Sequence, residues 1–136
     1  MMALDFPLIV QKLADFRFPE VDSIVGIGKS GIIPAALVAY QLGKDMKSIY
    51  INFRDEDNQP CREQPALLGS FSAPKKGERI LVVDDVSVSG QTLRLAKSFF
   101  KGCDVKTFVL KGQADYVLFP DIKDCVAWPW KQFTKS

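Results

Sequence analysis

The chain has 136 residues, 47% hydrophobic and 25% charged, which suits one globular domain with a real core and leaves no room for a second. Its formal net charge is only +2 and its lysines are scattered, so neither a nucleic acid nor a membrane surface is expected as a partner. Histidine is absent, which excludes a Ser-His triad, a Cys-His pair and an imidazole metal site. Cys61, Cys103 and Cys125 are odd in number and unpatterned, as in a reducing cytoplasm rather than a disulfide framework. No basic segment leads an apolar run at the start, and no stretch approaches the roughly 20 apolar residues that span a bilayer. A cytoplasmic location is expected.

Asp5 is placed to cap a first helix, with Pro7 tolerated in its opening turn, Ile9, Leu13 and Phe16 on one face, and an end before Pro19. Ser23 to Ile27 reads as a short apolar strand, and Gly28-Lys29-Ser30-Gly31 turns from it into a helix over Ile32 to Leu42. Pro34 suits that helix's first turn and Gly43 the position after its last. The helix is apolar nearly all round and is expected to be well buried against a sheet.

Gly26, Gly28 and Gly31 also satisfy the G-x-G-x-x-G spacing of dinucleotide folds, which makes a nicotinamide-dependent enzyme one alternative. That alternative wants an acid about 20 residues on, ending the next strand, and Asp55 lies further away. The chain is also too short for a substrate domain beside a full dinucleotide fold. A Walker loop fails because Ser23 stands where its first glycine belongs.

Ser48 to Phe53 forms the second clear strand, followed by an irregular stretch from Arg54 to Gly77 that opens polar and is broken by Pro60, Pro65 and Pro74. A loop this long in so small a domain is usually functional or disordered; as a functional element it would be a lid that keeps water from a cationic transition state.

The most informative stretch is Arg79 to Thr92. Ile80 to Val83 read as a strand buried on both faces that stops at Asp84 and Asp85. Ser87, Val88, Ser89, Gly90, Gln91 and Thr92 then form a loop entering a helix that carries Leu93, Ala96 and Phe100 on one side and reaches Lys101. Hydroxyls and unpaired N–H groups at a helix start suit a phosphate. Two carboxylates beside such a cradle suit a ligand that also offers hydroxyls and brings a divalent cation; helix capping would need only one. Val105 to Leu110 forms a further strand ending at Lys111 on the same carboxyl edge. Trp128 and Trp130, separated by Pro129, are not expected to share a core face.

The strand, acidic pair and Ser/Thr-Gly loop, in that order without gaps, resemble the signature of the type I phosphoribosyltransferases. The fit to the xanthine-guanine type covers nearly all of the chain after Ser23, including Asp55 to Gln59 at the start of a mobile loop and Asp115 to Trp130 in the tail. That resemblance implies a single doubly wound α/β domain over residues 1–136, with a mostly parallel sheet, helices on both faces, a mobile loop near 54–78 and a hood near 112–136.

It also implies transfer of a phosphoribosyl group from phosphoribosyl diphosphate to a nucleobase, of xanthine-guanine purine type, with diphosphate leaving. Lys29, Ser30 and Gly31 would receive the diphosphate, and Asp84 and Asp85 the ribose hydroxyls and a Mg2+ ion. Residues Ser87, Val88, Ser89, Gly90, Gln91 and Thr92 would take the 5-phosphate, and Lys111, Val126 and Trp128 the base. Catalysis would rest on Lys29, Asp84 and Asp85, and the protein would pair as a homodimer or homotetramer. Val88 stands where 6-oxopurine enzymes carry an aspartate, and Cys125 where the xanthine-guanine type carries a stacking aromatic. These departures leave the base open and motivate the alternative of a non-catalytic regulator that binds phosphoribosyl diphosphate or a nucleotide.

Overall fold

A computed structural model describes residues 2–52, 66–68 and 74–131. Strand β1 (Met2–Ala3) leads into α1 (Phe6–Asp15), then β2 (Ser23–Gly28), α2 (Ile32–Leu42), β3 (Asp45–Asn52) and β4 (Ala66–Leu68). After these come β5 (Arg79–Ser87), α3 (Gln91–Ser98), β6 (Asp104–Gly112), β7 (Tyr116–Val117), β8 (Val126–Ala127) and a 3-10 turn over Pro129–Lys131. The main sheet runs β4-β3-β2-β5-β6-β7, and only β4 is antiparallel to its neighbour. The expected doubly wound, mostly parallel α/β fold is present. No described helix is long and apolar enough to cross a membrane.

Side chains alternate between the two faces of the central strands, and each face has its own core. Ile24, Leu81, Val83, Phe108 and Leu110 meet Ile9 and Leu13 of α1 and Ala35 and Val38 of α2. Val25, Ile27, Val82 and Val109 meet Leu93 and Ala96 of α3 on the other side. Buried on both faces, the central strands read as continuous apolar runs.

Local expectations hold in detail. Asp5 caps α1 by accepting the Leu8 N–H at 3.0 Å. Gly43 closes α2 in the left-handed region, with φ at 65°.

Several boundaries and packing expectations are corrected. Strand β3 starts at Asp45, three residues before Ser48, because it pairs with β2 from Ser23↔Asp45 onward; backbone pairing carries polar residues that an apolar pattern misses. Strand β5 runs through the acidic pair to Ser87 instead of stopping at it. Helix α3 ends at Ser98 rather than Lys101, because Phe99 and Phe100 turn back onto Ala96 and Lys97 through i to i−3 bonds. Helix α2 buries Pro34, Ala35, Val38 and Ala39 but leaves Tyr40 91% exposed, because none of the described elements covers that side of it. The two tryptophans share the core they were expected not to share. Trp128 is 2% exposed and Trp130 packs against the same cluster, their rings 5.5 Å apart and parallel within 1°. Pro129 sets the turn that stacks them.

The expected lid falls largely outside the described residues, as do Phe53 and Cys61; within it, Ala66–Leu68 form β4 on the edge of the sheet.

At the amino ends of β2 and β5, Arg79 grips Asp22 through Nη2 at 2.8 Å and Nε at 3.2 Å, while its own N–H donates to Asp22 at 2.8 Å. Hydrogen bonding to Arg79 holds the Asp22 carboxyl down at about 2, against an ordinary 3.8. A depressed carboxyl contributes stability that is present above its unfolded value and lost as pH falls toward its folded one. Thermal melts should therefore show an advantage of wild type over Asp22→Asn at pH 5 that narrows steadily toward pH 2.5.

Candidate functional site

Strands β2 and β5 are neighbours, but their chains leave in opposite directions. From β2 the chain crosses one face through α2 to β3; from β5 it crosses the other through α3 to β6. The crevice beyond their carboxyl ends is the position where open α/β sheets bind ligands. Pairing between the two strands ends at Gly26↔Val83, and the β2–α2 turn then folds over β5. Gly31 makes that approach possible: a Cβ there would stand 2.6 Å from the Val83 carbonyl oxygen and 2.9 Å from Asp84 Cα. Its N–H donates to Ile27 O at 2.7 Å. Ser30, one residue earlier, is thereby carried to Asp84 and donates its hydroxyl to Oδ1 at 3.2 Å. The Gly28–Lys29 peptide is cis, and a side chain on Gly28 would run into the Tyr50 ring. Lys29 is exposed at the rim.

Asp84 and Asp85 are 7% and 5% exposed. Asp84 Oδ1 also accepts the Asp85 N–H at 2.8 Å, and Asp85 Oδ1 accepts the Val86 N–H at 2.7 Å. Asp85 Oδ2 accepts from Lys131 Nζ at 2.6 Å. Burial, and then the adjacent charge of Asp85, push the Asp84 carboxyl up from 3.8 to about 7. Two buried acids side by side on a strand are costly for packing alone, which marks them as functional candidates.

Ser87 ends β5 nearly buried, and Val88 stands 79% exposed. Gly90, at φ 79°, starts α3 without a capping side chain. Ser89 Oγ accepts the Gln91 N–H at 3.3 Å, and Arg94 Nη1 donates to Ser89 O at 3.2 Å. The remaining first-turn amides, with Thr92, face an open helix N-terminus. Lys111 pairs with Val86 and lines a cleft of about 290 Å³ with Ser87, Val88, Gln113, Ile122 and Lys123. Gly112 lets β6 come close to β5, since any side chain there would strike Ser87.

The expected residues thus divide in two. Lys29, Ser30, Gly31, Asp84, Asp85, the loop from Ser87 to Thr92 and Lys111 gather along one edge. Val126 and Trp128 do not line the cleft with Lys111. Val126 is paired to Met2 in a separate two-stranded ribbon, and Trp128 is packed between Phe119 and Trp130. Cys125 is exposed. Three further residues at this edge have no place in the sequence-based set: Tyr50 over Gly28, Arg94 on the phosphate-type loop, and Lys131 on Asp85. Arg94 is signalled by falling one helical turn after Gly90; Lys131 resembles any other scattered lysine in sequence.

The phosphoribosyl transferase domain family matches residues 7–134. The chain belongs to that family. A purine phosphoribosyltransferase from Pyrococcus horikoshii superposes on this domain with a TM-score of 0.74 at 24% identity, over 99% of this chain and 96% of its own. The xanthine-guanine-hypoxanthine phosphoribosyltransferase of Helicobacter pylori gives a TM-score of 0.76 at 15% identity, over 96% and 94%. Both likenesses are of fold. In sequence, the transcriptional regulator GfcR of Methanocaldococcus jannaschii is 32% identical over 103 residues, 75% of this chain and 48% of that protein. The phosphoribosyltransferase domain spans a third to about half the length of such curated relatives.

The donor set of this phosphoribosyltransferase domain suits Mg2+ brought in with a ligand. The pair offers only hard carboxylate oxygens, and Asp84 Oδ2 has no hydrogen-bond partner among the described residues. Those residues hold no group of three or more potential metal ligands, so water, joined by phosphate oxygens where a ligand is bound, would complete the shell.

An acid whose folded pKa is raised loses native stability as pH climbs through the interval between its unfolded and folded values. Asp84→Asn keeps an oxygen for Ser30 and the Asp85 N–H but carries no charge. In metal-free buffer its melting temperature should exceed that of wild type at pH 8, and the gap should close toward pH 4.5, a change on the order of 2 kcal/mol. Urea titrations at the two pH values check the same difference.

Proposed function

We propose that this domain binds magnesium phosphoribosyl diphosphate at the carboxyl ends of β2 and β5 and transfers the phosphoribosyl group to a nucleobase of purine type. The observation that carries this reading is the buried Asp84–Asp85 pair at the switch point, with Ser30 of the opposite turn hydrogen-bonded to it. Asp84 and Asp85 accept the ribose hydroxyls and fix the sugar's orientation. The loop from Ser87 to Thr92, with the first-turn amides of α3, holds the 5-phosphate. Lys29, exposed at the rim, and the Ser30–Gly31 turn steady the departing diphosphate. Lys111, at the wall of the adjoining cleft, orients the base. Val126 and Trp128 back this region rather than touch the base.

Transfer proceeds through an oxocarbenium-like transition state, so the chain contributes positioning and electrostatics rather than a nucleophile, consistent with a sequence lacking histidine. Bound Mg2+ supplies charge neutralisation of the diphosphate. The remaining expectations, a single domain over residues 1–136, a cytoplasmic location and a homodimer or homotetramer, belong to the same reading.

A second reading is a ligand-sensing module without useful turnover. It is favoured by relatives named transcriptional regulators and by Val88, an exposed side chain that exchanges no proton. Diphosphate release, assayed with guanine, xanthine, hypoxanthine, adenine, uracil and orotate, separates the two. Release with a purine supports transfer; silence with every base, alongside calorimetric binding of phosphoribosyl diphosphate, selects the sensor. Replacing both Asp84 and Asp85 by Asn should weaken that binding roughly a hundredfold or more while unfolding stays cooperative. Unchanged affinity would remove the pair from its assigned role.

A further inference from the structure

The contact between Lys131 and Asp85 joins groups in very different surroundings. The Asp85 side chain is 8% exposed and the Lys131 side chain 45%, with Nζ and Oδ2 2.6 Å apart. An ammonium at that depth regains its hydration readily when it lets go. A buried carboxylate does not, and loses heavily unless another cation takes the vacated place. The asymmetry makes Lys131 the replaceable partner and a cation its replacement. Asp84 stands beside it, so an incoming cation would meet a second carboxylate next to the one that Lys131 holds.

Lys131 also closes a path back into the fold. Its N–H donates to Trp128 O at 3.0 Å, completing the 3-10 turn. Within that turn Trp128 stacks on Trp130, and Trp130 meets the Phe6 ring of α1 at 5.9 Å. These are the only two tryptophans of the chain.

Resting on the reading of Asp84 and Asp85 as the ligand-binding pair, we propose that Lys131 is a resident counter-cation. It holds Asp85 when no metal is bound, yields it to a divalent cation, and so makes the Trp128–Lys131 turn respond to occupancy. Lys131 is then a positioning residue of the turn and a competitor for the metal. Its release loosens a segment that is packed on α1 and joined through β8 to β1.

The test uses Mn2+ alone as probe, titrated by electron paramagnetic resonance into wild type, Lys131→Gln and Lys131→Arg, with tryptophan emission followed in parallel. Lys131→Gln should bind Mn2+ roughly fivefold tighter than wild type, the amount expected from losing a half-exposed competing ion pair. Lys131→Arg, which keeps the charge, should stay within about twofold of wild type. Emission should track occupancy in wild type and lose most of its response in Lys131→Gln. Equal or weaker Mn2+ binding by Lys131→Gln, no binding by any form, or flat wild-type emission during saturation would each overturn the proposal. Circular dichroism and cooperative melting establish that all three forms are folded. Tighter Mn2+ binding by Lys131→Gln, in forms that take up no phosphoribosyl diphosphate, would sustain the counter-cation and sink the function proposed above.

Discussion

The site depends on one close approach, the backbone of Gly31 against the carbonyl of Val83. Everything that gives the crevice its character follows from it. Two strands lie parallel and adjacent, the turn after the first crosses the end of the second, and no side chain intervenes. A hydroxyl from one element thereby reaches a carboxylate on the other. A methyl group at position 31 would force these elements apart, since backbone atoms rather than flexible side-chain ends stand in its way. The same device recurs between β5 and β6, where Gly112 passes Ser87. Two glycines thus fix the spacing of three strands at the edge where the polar groups converge.

Charge burial at that edge is the second constraint. Asp84 is raised by desolvation and by its neighbour, whereas Asp22, at the opposite end of the same strand pair, is lowered by Arg79. Asp22 immediately precedes β2, and Asp84 immediately follows the apolar run of β5. One has a guanidinium as partner and reinforces the fold; the other meets a hydroxyl and an amide beside a second carboxylate. The contrast separates a carboxylate whose charge a partner stabilises from one whose charge burial makes costly.

Much of this was legible in the sequence because it is local. The cap at Asp5, the left-handed Gly43, the helix from Ile32 to Leu42, and the order of apolar strand, acidic pair and loop are written in neighbouring residues. What was missed is set by partners distant in the chain. Strand β3 gains Asp45 to Lys47 only because β2 lies beside it. Trp128 becomes a core residue because Phe119 and the α1 side of the sheet enclose it. Lys131 meets Asp85 across the fold, and no spacing rule announces an ion pair between residues so far apart. The same enclosure leaves Trp128 2% exposed between Phe119 and Trp130.

The ribbon of β1 and β8 joins Met2–Ala3 to Val126–Ala127, with Met2 N–H on Cys125 O at 2.9 Å and Leu4 N–H on Ala127 O at 3.4 Å. The segment behind the proposed base region is therefore stitched to Met2–Ala3 as well as to its own sequence neighbours. A change that pulled Met2 out of register would slacken Val126 and Ala127 with it, and ligand affinity would then shift without any alteration in the crevice itself.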